Sequence, residues 1–280
     1  MGSKRFQNLI LTWYRLNGRH DLPWRRTRDP YRILVSEVML QQTQVSRVLA
    51  KYRKFLRAFP NLRALGRTPV AQVLRTWQGM GYNRRALYLK RLAEALLWDY
   101  NGRLPDEPTT LRRLPGIGPA TAGAIAAFAF GRRVAFLETN IRRVYIHFFF
   151  PRRKRVRDAE ILGKIWATLP RRNIREWYYG LMDYGAVALR PAQGIGNPNR
   201  RSAHYHRQPR FEGSRRQARG RILAAVAEKR GLSFRALREE IGRDPTLSPY
   251  TGPRLFRQVI RGLLREGLLG KNGNRIILPV

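Results

Sequence analysis

Leu114-Pro115-Gly116-Ile117-Gly118-Pro119-Ala120-Thr121-Ala122-Gly123 is the stretch that decides how this chain folds. Gly116 and Gly118 bracket a turn too tight for side chains, and Pro119 opens the next helix with its φ already set. Backbone N–H groups at such a turn point outward with the positive end of a helix dipole. A phosphate binds there without any side-chain base. An ordinary helix–turn–helix corner has the same spacing, and Gly-x-Gly alone does not separate the two. The small-residue helix that follows, in a strongly basic chain, favours the phosphate.

Working outward, 280 residues suggest about two domains, and 43 % hydrophobic residues are enough to bury a core. Lys+Arg number 56 against 18 Asp+Glu, a net +38, and 48 of the cations are Arg. Residues 1–188 hold 36 basic and 12 acidic groups, and residues 189–280 hold 20 and 6, so both parts are basic. Such a field suits a polyanion, and arginine favours forked contacts to phosphate. Charge alone is compatible with ribosomal, architectural and enzymatic roles. Apolar runs fall short of the ~20 residues of a membrane span, and no secretory leader is legible. No membrane partner is expected, and the expected location is cytoplasmic and nucleoid-associated. Cysteine is absent. That excludes disulfides, thiolate nucleophiles and sulfur-ligated metal sites.

Residues 1–189 read as all-α: Ile33, Leu34, Glu37, Val38, Leu40 and Gln41 have helical spacing, as do Leu89, Leu92, Ala93, Leu96 and Leu97. Residues 190–214 are polar, basic and aperiodic, a linker or loop. Residues 215–280 predict helices over 216–229, 233–241 and 253–266. A hairpin over 268–278 then turns at Asn272-Gly273. Three helices and a hairpin are the order of a winged helix. Its third helix carries Arg254, Arg257, Arg261 and Arg265, and its wing Lys271 and Arg275. Such domains contact duplex DNA or other proteins.

Glu37 stands among Ile33, Leu34, Leu40 and Gln41 on one helix face. Burial raises a carboxyl pKa and makes a general acid, whereas pairing with one of the many arginines makes the residue purely structural. Leu137-Glu138-Thr139-Asn140-Ile141-Arg142-Arg143 places a carboxylate and an amide at a helix start, for which capping is the simplest account. Asp183, in an apolar run, reads as structural. His204 and His206 read as a solvated pair, so no metal site is expected.

With Trp13-Tyr14, Leu22-Pro23-Trp24-Arg25, Asp29-Pro30-Tyr31, Ser36-Glu37-Val38-Met39-Leu40-Gln41-Gln42-Thr43-Gln44, Trp77-Gln78-Gly79-Met80-Gly81-Tyr82 and Leu181-Met182-Asp183-Tyr184-Gly185-Ala186, the chain resembles the helix–hairpin–helix DNA glycosylases. The resemblance covers most of residues 6–188. The superfamily is that of endonuclease III, and the Glu-x-x-Leu-Gln-Gln-Thr-Gln run marks the A/G-specific adenine glycosylase (MutY) branch. It implies a two-lobed helical fold and a base-flipping enzyme that removes adenine mispaired with 8-oxoguanine or guanine. It implies that Glu37 protonates the leaving base, Glu138 stabilises the oxocarbenium-like sugar and Asn140 supports them. Trp24, Arg25 and Leu40 would line the base pocket. Gln42, Thr43 and Tyr82 would enter the duplex, and Gly116, Ile117, Gly118 and Arg143 would contact DNA. Arg257 and Arg261 of the winged helix would add further contacts.

Four departures bear on activity. Glu138 stands where the family has Asp, so its carboxylate lies one methylene further from the backbone. Ala120 replaces the lysine of lyase-active relatives, which implies a monofunctional enzyme. Leu189, Gly196, Asn199 and Tyr205 fall at the spacing of the family's four cluster cysteines, so no iron–sulfur cluster and no cofactor are expected. The C-terminal region reads as a winged helix where many relatives have a Nudix-like domain. A G:T or G:U mismatch thymine/uracil glycosylase, or a catalytically impaired lesion-binding protein, are the alternatives. The expected partner is duplex DNA with a mismatch or oxidised base, and the expected state is a monomer.

Overall fold

The computed structural model describes residues 1–190 and 196–279. Its helices are α1 (Ser3–Asn17), α2 (Pro30–Leu40), α3 (Val45–Ala58), α4 (Leu62–Arg67), α5 (Val70–Thr76), α6 (Arg84–Asp99), α7 (Pro108–Leu111) and α8 (Pro119–Phe130). They continue with α9 (Thr139–Phe149), α10 (Asp158–Thr168), α11 (Ile174–Asp183), α12 (Arg215–Glu228), α13 (Phe234–Gly242) and α14 (Pro253–Arg265). The fold is mostly helical with one small C-terminal sheet, as the residue spacing predicts. Within the expected 190–214 loop, residues 191–195 lie outside the described residues.

The chain divides into two compact units. One comprises residues 1–37, 105–113 and 117–207, and the other 38–104, 114–116 and 208–280. The first is built on α8, whose sequence Pro-Ala-Thr-Ala-Gly-Ala-Ile-Ala-Ala-Phe-Ala-Phe is apolar on nearly every face and is buried accordingly. Against the same core, α1 contributes Phe6, Ile10 and Tyr14, spaced four residues apart. The Phe6 ring meets those of Tyr145, Phe149 and Trp177 edge-on at 4.9–5.5 Å. Such pairs add about 0.5–1.5 kcal/mol each beyond the area they bury.

In the second unit, Tyr52 and Phe55 of α3, Val73 and Leu74 of α5, Trp77, and Leu89, Leu92 and Leu96 of α6 are buried. The C-terminal winged helix belongs to this unit. Ser214 and Ser233 cap α12 and α13, accepting the Gln217 and Ala236 amides. Phe256, Val259, Ile260 and Leu263 of α14 face inward, while Arg254, Arg257, Arg261 and Arg265 are exposed. Glu266, just past α14, pairs with Arg84 of α6 and Arg219 of α12. Strands β1 (Leu232–Ser233), β2 (Gly270–Asn272) and β3 (Arg275–Ile277) form an antiparallel sheet in the order β1-β3-β2. The turn falls one residue later than the sequence suggests, on Gly273-Asn274, with Asn272 paired to Arg275. Gly273 takes φ +55° at the first turn position, which frees Asn272 to stay in the ladder. The strand β1 is too short to show alternation in sequence.

Gly116 takes φ +78°, and a Cβ there would lie 2.8 Å from the Tyr88 Cβ. Gly118 has φ −87° and ψ 174°, with open space around its Cβ position. Steric demand within the fold therefore explains the first glycine of the turn and not the second. Ile117 between them is buried, and Gly118 caps α8 without a side-chain oxygen.

Candidate active site

Helix α2 begins where Asp29 Oδ1 accepts the Tyr31 amide at 2.9 Å and Pro30 occupies the first turn. One turn on, the same face carries the buried Ile33 and Leu34, and then Glu37. Glu37 is half-buried and makes no hydrogen bond or ion pair among the described residues. Its carboxyl is pushed up to about 8, first by burial and then by the neighbouring negative charge of Glu138, with Arg25 pulling the other way. At neutral pH it holds a proton that no protein group has claimed.

The arginine that could have claimed it is occupied. Arg25 donates from Nη1 to Asp183 Oδ2 at 2.6 Å and from Nη2 to Oδ1 at 2.8 Å. Arg19 donates to the same carboxylate from its backbone N and from Nε, each at 2.8 Å, and from Nη2. Burial opposes the charge of Asp183, but these donors outweigh it and hold the carboxyl below its usual range. The Arg25 guanidinium lies 4.5 Å from the Tyr179 ring centroid, and its buried Nε has no partner. Asp183 is thus the structural residue that its apolar run suggests.

Glu138 is the cap of α9. Its Oε1 accepts the Ile141 amide at 2.6 Å and its Oε2 accepts Asn140 Nδ2 at 3.2 Å. Burial raises its pKa, against the hydrogen bonds and the charges of Arg142 and Arg143. Capping and proximity to Glu37 therefore coexist in one side chain. Arg143 Nη1 donates to the Gly185 carbonyl at 2.6 Å, and its Nε has no partner. Gly185 lies in a π-helical turn, residues Tyr184–Ala188, pressed so close to the Asn140 carbonyl that no Cβ fits. Trp24 is buried. A cleft of about 680 Å³ opens beside Arg25 and Tyr179, with Arg26, Arg28, Arg171 and Arg172 on its other walls, and of the predicted pocket and catalytic residues only Arg25 lines it.

The second unit holds the residues expected to enter DNA. Gln42, exposed, has φ +52°, and Tyr82, 38 % exposed, has φ +48°. Left-handed backbone at a non-glycine residue costs on the order of 1–3 kcal/mol and persists only where the surroundings impose it. Arg85 imposes it. Its Nη1 donates to the carbonyls of Val38 (2.9 Å), Met39 (2.8 Å) and Gln41 (2.6 Å). Its Nη2 donates to Thr43 Oγ1 (2.8 Å), Met80 O (3.3 Å) and Gly81 O (3.1 Å). One buried cation thus ties the end of α2 and the loop before α6 together, and burial lowers its pKa to about 10. Sequence reasoning passes over Arg85. The available signal is two arginines, Arg84 and Arg85, at the first turn of α6, where the helix dipole disfavours cations. Leu40 is half-buried, and Arg257 and Arg261 are exposed and make no ion pair among the described residues.

The four positions that fall at the spacing expected for cluster cysteines do not fit a cluster. Leu189 is buried apolar, Asn199 spends its Nδ2 on the Thr139 carbonyl at 3.0 Å, and Gly196 and Tyr205 offer no thiolate. Residues 196–205 are held by hydrogen bonds from Arg201 to the carbonyls of Phe150 and Pro151, both 2.6 Å, and by a bridge between Val156 and Ser202.

Residues 35–168 match the family model for HhH-GPD superfamily base excision DNA repair proteins. The chain is 36 % identical to the adenine DNA glycosylase of Mycolicibacterium smegmatis, over 94 % of this chain and 97 % of that one. It is 37 % identical to an adenine DNA glycosylase of Buchnera aphidicola over 65 % of this chain, but spans only about half, 52 %, of that longer relative. A solved thermostable thymine-DNA glycosylase superposes with a TM-score of 0.60 at 31 % identity, over 66 % of this chain and 86 % of that one.

Proposed function

Because the chain belongs to the HhH-GPD superfamily of base excision DNA repair proteins, we propose that it is a monofunctional DNA glycosylase that flips out and removes adenine mispaired with guanine or 8-oxoguanine. Its partner is duplex DNA carrying that mispair. The observation that carries the reading is Glu37, a half-buried carboxyl with no ion-pair partner and a pKa near 8.

Glu37 gives its proton to a ring nitrogen of the extruded base. The bond from the base to deoxyribose C1′ then breaks, and its electron pair leaves with the now neutral base. Glu138, anchored by the Ile141 amide and Asn140, sets its negative charge toward the cationic sugar. Water adds to C1′ and its proton returns to Glu37. Ala120 has no amine to form a Schiff base, so the product is an intact abasic strand. Trp24, Arg25 and Leu40 line the base pocket. Gln42, Thr43 and Tyr82 fill the gap left in the duplex. Gly116, Ile117, Gly118, Arg143, Arg257 and Arg261 contact the DNA backbone, and residues 215–280 act as a winged-helix module.

Similarity to a thymine-DNA glycosylase supports a second reading, excision of thymine or uracil opposite guanine. Duplexes differing only in the mispair, incubated with wild type and Glu37→Gln and then treated with hot alkali, decide between them. Breaks at A opposite G or 8-oxoguanine, lost in Glu37→Gln, support the adenine reading. Breaks at T or U support the second, and tight binding without breaks overturns both. Borohydride trapping of an enzyme–DNA adduct would overturn the monofunctional assignment.

A further inference from the structure

Tyr82 is held from a direction that its own loop does not account for. Its hydroxyl accepts hydrogen bonds from Arg216 Nη1 at 2.9 Å and from Gln208 Nε2. Arg216 lies in the first turn of α12, the first helix of the winged helix, and Gln208 lies in the segment leading into it. The Arg216 Nη2 donates to the Pro209 carbonyl at 2.7 Å, and its guanidinium lies 5.9 Å from the Phe211 ring centroid. On the ring of Tyr82 itself, Arg85 stands 5.5 Å from the centroid. The phenol is thus fixed at its hydroxyl by residues 126 and 134 positions away, and at its face by Arg85.

We infer that Gln208 and Arg216 are positioning residues that place the Tyr82 ring for entry into lesion-bearing DNA, so that the winged-helix module helps to set which duplexes are recognised. The inference rests on the reading above in which Tyr82 enters the duplex. An exposed tyrosine held only by its backbone samples several rotamers and loses that freedom on insertion. Two donors at the hydroxyl remove it beforehand, so ordering costs less when the ring meets bases. Stacking of an aromatic ring on a base is tolerant of base identity, whereas the aim of the ring is not. A surface basic residue that merely touched phosphate would strengthen lesion and matched duplexes alike. Residues acting through Tyr82 separate them.

The test is a double-mutant cycle on the full chain. Wild type, Tyr82→Phe, Arg216→Met and the double variant are compared at one salt concentration. The probes are a duplex holding a tetrahydrofuran abasic analogue opposite guanine and its matched counterpart. Tyr82→Phe removes one partly exposed oxygen and leaves the ring. Each single variant is expected to lose about tenfold in discrimination between the two duplexes, and the double variant no more than either. Losses that multiply to about 100-fold, an unchanged Tyr82→Phe, or an equal weakening of both duplexes by Arg216→Met would overturn the inference. If thermal melting shows that Arg216→Met is unfolded, the exposed Gln208→Ala takes its place in the same cycle. Because the readout is binding, a wild type that cleaves no mispair refutes the proposed reaction while the cycle still decides the coupling.

Discussion

Arg25 in the first unit and Arg85 in the second are both buried guanidiniums, but one is neutralised and the other is not. Arg25 meets a carboxylate, Asp183, with the two side chains 5 % and 0 % exposed. Arg85 meets six neutral oxygens, from the end of α2 with the residues just after it and from the loop before α6, and makes no ion pair among the described residues. In the first unit the cation is spent on Asp183, which leaves Glu37 without a counter-ion and therefore protonated near neutral pH. In the second no acid is needed, because the work is geometric: carbonyls at the end of α2 and beside Tyr82 converge on one charge. A basic chain can thus keep an acid reactive in one place and a loop rigid in another with the same side chain.

The largest effect should follow from Glu37→Gln, which removes the proton donor. Base excision should fall by about 10²–10⁴-fold with DNA binding within a factor of two. In wild type the protonated form is needed, so single-turnover rates should decline as pH rises through about 8. Stability carries the same sign. The folded pKa lies above the ordinary 4.5, so the stabilisation from neutral Glu37 is complete below about 4.5 and is lost as pH rises through about 8. Glu37→Gln should therefore melt higher than wild type at alkaline pH, and a rate profile flat across that range would break the contrast.

Arg25→Met and Arg85→Met sharpen it. The first leaves a buried carboxylate with Arg19 as its remaining partner, and should cost about 3 kcal/mol, a fall of roughly 6–12 °C in Tm. It also removes the one positive charge that lowers the Glu37 pKa, so the alkaline limb of activity should move upward. Arg85→Met leaves carbonyl oxygens unpaired at a comparable cost, but should leave that limb where it is while reducing lesion discrimination. Equal shifts of the limb in both variants would show that the two arginines do not act separately. Glu138→Asp should change the excision rate by no more than about tenfold, because Asp also caps well and the Ile141 amide fixes the carboxylate. A hundredfold gain would instead mark the extra methylene as a defect. Smallest, Arg257→Ala and Arg261→Ala should each lower the slope of log affinity against log salt by about one, without moving Tm.

The apolar setting of Glu37 is legible because residues three and four apart on a helix are neighbours whatever the rest of the chain does. For the same reason the capping position of Glu138 and the cap of α13 at Ser233 are readable as local patterns. The ambiguity between a reactive and a paired Glu37 is not readable, since it turns on where Arg25 goes. Gly118 shows the converse: the sequence suggests crowding on both sides of the turn, and packing supplies it only at Gly116. Arg85 is missed because nothing along the chain distinguishes it from its neighbour Arg84, which pairs at the surface with Glu266.

Local order along the chain, including helices, caps, the tight turn, the winged-helix sequence of elements and an acid among aliphatic neighbours, follows from contacts a few residues long. Tertiary structure alone chose partners among 48 chemically equivalent arginines: Arg25 with an acid 158 residues away, Arg85 with the carbonyl just past α2, 44 residues back, Arg216 with a tyrosine 134 residues away. Pairing of that kind depends on which segments are brought together and on how much water they exclude, and neither quantity is written in the order of residues along one helix.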